Sequence, residues 1–237
     1  MAKIQRPAGA YRNSLLANLS SGTTADLSRH LEPVQFDIKW VLYEPDQRMQ
    51  YAYFPEAGMV SVVSIMDDGR CIEVGTIGRE GMTGVSILLS ADRVPYQYYI
   101  QIAGNGYRIK AALLKSEAEQ KPELQSLLFR YQAAFLTQTM QAAACNGLHN
   151  IQQRCCRWIL MSRDRVDSAT VPLTHEFLGL MLGVRRASVS EVLGPLQTRG
   201  WIRSQRGEIS VLNRTGLESG SCECYRLIVK QYADLLK

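Results

Sequence analysis

Apolar positions along the chain follow two different periods. From Val34 to about Tyr107 they form short runs, VQFDI, WVLYE, YAYF, MVSVVSI, CIEVGTI and YYIQIAG, separated by turn residues such as Asp68-Gly69. Runs of this length, broken at turns, predict a compact antiparallel roll or barrel. Two short helices are predicted ahead of it, over 14–19 and 25–31, the second with Thr24 as its N-cap. After the roll the period becomes helical. Pro122 suits the first turn of a long helix, along which Leu124, Leu128, Tyr131, Phe135, Gln138, Ala142 and Cys145 alternate in steps of four and three. That is the pattern of a coiled-coil seam, and an ordinary core stripe has it too.

Gly147 closes the long helix, and Asn150 with Gln153 forms a capping-box pattern that opens another, with Ile151, Cys155, Trp158 and Ile159 on one face. Thr174 then suits the N-cap of a short amphipathic helix with Phe177, Leu178 and Met181 inward, and Gly183 supplies a turn. From Arg185 to about Arg199 a second helix buries Val189, Val192, Leu193 and Leu196, and Gly200 stops it. Its opposite face carries Arg186, Ala187, Ser190 and Glu191. The next stretch, WIRSQRGEISVL, reads as a hairpin turning at Arg206-Gly207. Helix, glycine turn, helix and hairpin predict a winged helix-turn-helix. Reading heads of this kind pair on half-sites one DNA turn apart, so the stripe from Leu124 to Cys145 is assigned to a homodimer interface.

Charge sharpens this picture. Residues 1–149 hold 14 basic and 14 acidic side chains, whereas residues 150–237 hold 13 against 8, so the whole net charge of +5 is C-terminal. Between 185 and 206 stand Arg185, Arg186, Arg199, Arg203 and Arg206 against Glu191 alone. Arg185 and Arg186 open a helix, where the macrodipole disfavours cations. A polyanion lying across that helix end accounts for them.

A chain of 237 residues accommodates two domains. Its first 19 residues contain no continuous apolar leader, and no later stretch reaches membrane-spanning length, so a cytoplasmic protein without membrane contact is expected. Six cysteines, at 71, 145, 155, 156, 222 and 224, fit neither a zinc ribbon nor a thioredoxin motif and read as reduced, partly buried thiols. His30, His149 and His175 are scattered and read as structural, so no metal or other cofactor is expected. The absence of a P-loop, G-x-S-x-G and H-E-x-x-H argues against an enzyme, and no catalytic residue is assigned.

The order of parts, with LTHEFLGLMLGVRRASVSEVLGPLQTRGWI followed by RGEISVLNRTGLE and CECY, resembles the Crp/Fnr family of bacterial transcription regulators. The resemblance covers nearly the whole chain, and YFPEAGMVSVV with EVGTIGREGMTGV looks like a branch with a divergent sensory domain. It implies an α+β chain: a cyclic-nucleotide-binding-like β-roll over 1–120, a dimerisation helix over 121–148, and a winged-helix DNA-binding domain over 149–237. It also implies a homodimer on a two-fold-related site in double-stranded DNA, with RNA polymerase as a further partner.

Carried over residue by residue, Arg186 stands where the family's arginine reads guanine. Ala187 replaces a glutamate that accepts from cytosine, and Glu191 replaces a second arginine, so the half-site should differ from the familiar one. Thr174, Arg185 and Ser188 stand where members contact phosphates, Arg203 and Arg206 on the wing are further anchors, and Ser190 lies between the reading positions. The family's glycine-glutamate pair for a cyclic nucleotide reads Gly84-Val85 here, and Arg93 is followed by Val94-Pro95. Ordinary cyclic AMP binding is therefore not expected, and an effector of other chemistry stays open. A competing reading is an effector-sensing or protein-interaction module with only weak, non-specific DNA binding, which predicts salt-sensitive affinity and no preferred sequence.

Overall fold

A computed structural model describes residues 11–235. The leader reading rests partly on residues 1–10, which lie outside the described residues. The chain is α+β. In order it runs α1 (Ser14–Ala17), α2 (Ser21–Ser28), β1 (Glu32–Phe36), β2 (Val41–Tyr43), β3 (Tyr51–Ile65), β4 (Cys71–Ile77), a 3-10 turn (Val85–Leu89), β5 (Gln97–Lys110), α3 (Ala111–Gln120) and α4 (Pro122–Leu148). It continues with α5 (Ile151–Asp164), β6 (Thr170–Pro172), α6 (His175–Leu182), α7 (Arg186–Thr198), β7 (Ile202–Gln205), β8 (Glu208–Val211), α8 (Arg214–Ser219) and α9 (Cys224–Leu235).

One sheet has the order β1-β5-β3-β4, with β2 also on β5, and a smaller one has the order β6-β8-β7. Two compact units result. The first takes residues through Val62, Thr76–Leu136 and the chain from Gln231. The second takes Val63–Gly75 and Thr137–Lys230. The division falls inside α4, not at residues 120 and 148.

In the first unit β1 and β2 run antiparallel to β5, with Glu32 opposite Arg108 and Val41 opposite Tyr99. Phe36, Trp40, Tyr43, Tyr53 and Tyr98 stack edge to face or tilted, with centroids 5.1–6.4 Å apart, an arrangement that adds to plain area burial. The buried Tyr43 hydroxyl donates to the Tyr51 carbonyl at 2.7 Å and pairs with Thr83 Oγ1 at 2.7 Å.

Two apolar runs expected as separate strands, YAYF and MVSVVSI, form the single strand β3, carried straight through Pro55 and Gly58. Glycines on β5 make this possible. A Cβ at Gly104 would sit 2.1 Å from the Ala57 carbonyl oxygen, and one at Gly106 2.3 Å from that of Phe54.

The cap of α2 also differs from expectation. It is Ser20, not Thr24, whose hydroxyl accepts from the Thr23 amide. Glu123, at the start of α4, accepts from the Ser20 amide at 2.7 Å and from the Ser20 and Thr23 hydroxyls at 2.6 and 2.5 Å. These bonds pull its carboxyl below the usual value.

The long helix starts at Pro122 as predicted, but the seam expected on it is corrected. Leu124, Leu128, Tyr131, Gln138, Ala142 and Cys145 are all buried within the single chain, and the Tyr131 hydroxyl donates to the Met82 carbonyl at 2.8 Å. Phe135 is half-buried and stacks on Tyr131. This stripe is the helix's inward face, and apart from part of Phe135 it leaves a second copy little to cover. The large apolar residues of α4 that stay exposed are Phe129, Leu136, Met140 and Leu148.

Candidate nucleic-acid interface

The C-terminal unit positions a helix pair and a wing. The capping box predicted at Asn150 and Gln153 is present at the start of α5. Thr174 caps α6 by accepting from the Phe177 amide at 3.1 Å. Gly183 ends α6 at φ 65°, ψ 34°, a left-handed conformation that glycine adopts without cost. The turn is tight against α6: a Cβ at Gly179 would meet the Val184 carbonyl oxygen at 2.9 Å. α7 buries Val189, Leu193 and Leu196 fully, so its opposite face is turned to solvent.

On that face Arg185, Arg186, Ala187, Ser190 and Glu191 are exposed and Ser188 is half-buried. Arg185 occupies the N-cap position and makes no side-chain cap bond, leaving the first amides of α7 available to an anion. Arg203 and Arg206 on the wing are likewise exposed. Among the described residues, the side chains of Arg185, Arg186, Arg203 and Arg206 make no hydrogen bond or ion pair. The fifth arginine of the cluster, Arg199, is engaged, 5.0 Å from the Trp201 ring.

The hairpin turns at Arg206-Gly207, both at positive φ (53° and 81°), the backbone of a two-residue turn that matches strand twist. Strand β6 extends this wing to three strands; its three residues Thr170, Val171 and Pro172 pair with Ser210, Ile209 and Glu208 of β8. The Leu173 amide donates to the Gly207 carbonyl at 2.7 Å, which sets Thr174 beside the wing turn. His175, the next residue, bridges α7 and the wing: Nδ1 lies 2.9 Å from Ser190 Oγ on α7 and Nε2 lies 2.9 Å from Ser204 Oγ on β7. Gln197 Oε1 also accepts from the Ser204 amide at 2.8 Å. Sequence reasoning assigned Ser190 to base reading and missed His175 as the tie between helix and wing; only its position after the N-cap pointed to it.

In the roll, Gly84 has φ 74° and Val85 is buried at the start of the 3-10 turn, with no carboxylate at that position. Arg93 donates to the Asp46 carbonyl at 2.8 Å. Elsewhere burial pushes the Cys156 thiol up to about 12 and raises that of Cys155 further. Both are protonated and unreactive at neutral pH.

A helix pair joined by a glycine turn, an arginine-lined outer face on the second helix and a three-stranded wing have the arrangement of a winged helix-turn-helix domain. Comparison with known proteins identifies the C-terminal domain. Residues 153–219 match the Crp-like helix-turn-helix domain. The global nitrogen regulator of Synechococcus elongatus is 22% identical over 218 residues, spanning 88% of this chain and 97% of that protein.

The structure of FixK2 from Bradyrhizobium japonicum is similar with a TM-score of 0.70 at 19% identity, covering 81% of this chain and 98% of that one. A CRP-family transcriptional regulator from Thermus thermophilus gives 0.65 at 22% identity, covering 79% and 96%. Residues 153–219 are thus a Crp-like helix-turn-helix domain, and the fold of the chain is that of these solved structures. Among the described residues no helix is long and apolar enough to cross a membrane.

Proposed function

We propose that the protein acts as a homodimer that binds a two-fold-related DNA site sequence-specifically, with α7 of each copy in the major groove. The observation that carries this reading is the set of four exposed arginines, Arg185, Arg186, Arg203 and Arg206, left without protein partners around the uncapped end of α7. In water such a cluster costs like-charge repulsion and an unfavourable dipole. Against phosphates and guanine edges the same groups make charge-assisted bonds. Arg186 is assigned to guanine O6 and N7, Ala187 to a methyl contact such as thymine, and Ser190 and Glu191 to modifying that choice. Thr174, Arg185, Ser188, Arg203 and Arg206 are assigned to phosphates. The dimer seam is assigned to Phe129, Leu136 and Met140, the exposed apolar residues of α4.

The roll over 1–120 is assigned a sensory role without ordinary cyclic AMP binding. Val85 stands in place of the ribose carboxylate, and Trp40, Tyr43, Tyr53 and Tyr98 pack edge to face or tilted within the roll. RNA polymerase is a further partner of a regulator of this kind, and a cytoplasmic location follows from that role.

Selection from a randomised DNA pool tests the proposal. A palindromic winner is expected, and Arg186→Ala should weaken it by about 1–3 kcal/mol while flattening preference at one base pair per half-site. Arg203→Ala should weaken all sequences alike and lower the salt slope by about 1. Equal losses on specific and random DNA for Arg186→Ala would refute the reading role. No enrichment at all would favour a module that holds DNA without reading it.

A further inference from the structure

Four side chains outside the DNA-reading face come together although they lie far apart in sequence. Cys145 lies in the last turn of α4 (Pro122–Leu148), and His149 follows it directly, its amide still donating to the Cys145 carbonyl at 3.1 Å, so the two sit at i and i+4 on one face. The segment entering α9 carries Cys222 and Cys224. Their four ligand atoms all lie within 4.8 Å of one another. Cys145 Sγ is 3.5 Å from Cys222 Sγ, and Cys224 Sγ is 3.5 Å from His149 Nδ1. A tetrahedral zinc with bonds of about 2.3 Å to sulfur and 2.0–2.1 Å to nitrogen has S–S edges of about 3.8 Å and S–N edges of about 3.6 Å. These two spacings are within a few tenths of an ångström of such edges, and the remaining pairs stay within 4.8 Å. All three cysteines are buried.

Two further observations point to the same kind of ligand. His149 Nε2 lies 3.3 Å from a Glu223 carboxylate oxygen. With a proton on Nε2 facing that carboxylate, the Nδ1 lone pair faces the sulfurs, the carboxylate–histidine arrangement that orients metal-bound imidazoles. Arg154 and Arg157 are buried, have no carboxylate partner among the described residues, and each leaves Nε without a hydrogen bond. Both lie within coulombic reach of Cys145. Buried cations need a counter-charge, and three thiolates, a neutral imidazole and a divalent ion together carry −1.

We propose that Cys145, His149, Cys222 and Cys224 bind one Zn²⁺ ion, which ties the end of α4 to the start of α9. The donor set is soft and complete, with no position left for water or substrate, so the ion is structural. Binding releases the three thiol protons to solvent. The four ligands flank residues 153–219 on both sides, so the ion clasps the DNA-binding domain at its base. Tyr225, next to Cys224, donates to Asp164 at 2.8 Å and accepts from Arg214 at 2.5 Å, and so sets the position of the C-x-C segment without the metal.

The test uses the full chain, produced in zinc-supplemented medium and purified without chelator, with metals quantified by plasma mass spectrometry. About one zinc per chain is expected in the wild type, and at least about a five-fold drop in Cys222→Ser and Cys224→Ser, each of which removes one of four ligands. Because a variant could fail to fold, wild-type protein stripped under reducing conditions is also titrated with Co²⁺. The expected signature is a thiolate-to-cobalt charge-transfer band with intense visible absorption from a tetrahedral centre, saturating at one equivalent and bleached by Zn²⁺. Folded wild-type protein that holds no more zinc than Cys224→Ser and gives only the pale spectrum of octahedral cobalt would overturn the proposal. Iron in place of zinc, or a Cys145–Cys222 disulfide in protein purified under nitrogen, would overturn it equally.

Discussion

Leu136→Glu should separate the dimer while leaving each chain folded. On α4, Phe129, Leu136 and Met140 are spaced seven and four residues apart and are 41%, 48% and 63% exposed. Full burial of such a side chain is worth about 1.5–3 kcal/mol. Covering the half still in water therefore contributes about 1 kcal/mol for each residue, and about twice that over a symmetric pair.

Replacing Leu136 with glutamate removes that gain in both copies and sets two carboxylates on the seam at a further cost of about 1–3 kcal/mol each. The total, about 4–8 kcal/mol, weakens dimerisation by about 10³–10⁶-fold. Sedimentation velocity at micromolar protein should then show monomers, with an unchanged circular dichroism spectrum. The control is Leu128→Ala on the buried face, which should cost about 2–5 kcal/mol of fold stability and leave surviving protein dimeric. A dimeric Leu136→Glu, or a folded monomer from Leu128→Ala, would refute the assignment of the two faces.

His175→Ala should remove the tie between Ser190 and Ser204 at about 1–2 kcal/mol for two neutral hydrogen bonds; specific DNA affinity should fall more than non-specific affinity, and an equal fall would refute the coupling. Gly183→Ala places a Cβ at φ 65° and 3.0 Å from Ile72 Cδ1, which should cost about 1–2 kcal/mol and lower the melting temperature by about 2–8 °C. Glu123, whose carboxyl is held below its usual value by the Ser20 and Thr23 hydrogen bonds, should stabilise the first unit fully above pH ~4.3, its unfolded value. That contribution is lost as pH falls through the lower folded value. Glu123→Gln should therefore flatten the acid limb of the stability–pH profile, and an unchanged limb would contradict it.

The reading head was legible because each of its parts is locally encoded. Thr174 caps, Gly183 turns left-handed, Val189, Leu193 and Leu196 define one face of α7, and Arg206-Gly207 specifies a tight hairpin. What escaped were choices made by distant residues. Thr24 was as good an N-cap for α2 as Ser20 until Glu123, about a hundred residues on, selected Ser20 and Thr23. A four-three stripe marks a buried helix face but not what buries it. The face from Leu124 to Cys145 packs within the chain, and the neighbouring row through Phe129 and Met140 is left over. β3 ran through Pro55 because glycines on another strand allowed the approach. Cys145 and His149 looked unrelated to Cys222 and Cys224 because the elements that gather them are separated by the entire helix-turn-helix domain.

That last separation carries a thermodynamic consequence. Cys145 and Cys222 are 77 positions apart, so any bond joining them converts the intervening chain into a closed loop. In the chain-entropy treatment of cross-links, a loop of that length deprives the unfolded ensemble of about 4–5 kcal/mol of configurational freedom. This is a sizeable share of the ~5–15 kcal/mol that holds a domain folded. A metal clasp differs from such a permanent cross-link, because its site exists only in the folded chain: the ion stabilises the native head by mass action, and its binding free energy must offset that closure entropy. The survival of the head would depend on supply of the ion, while the residues that face DNA stayed as they are.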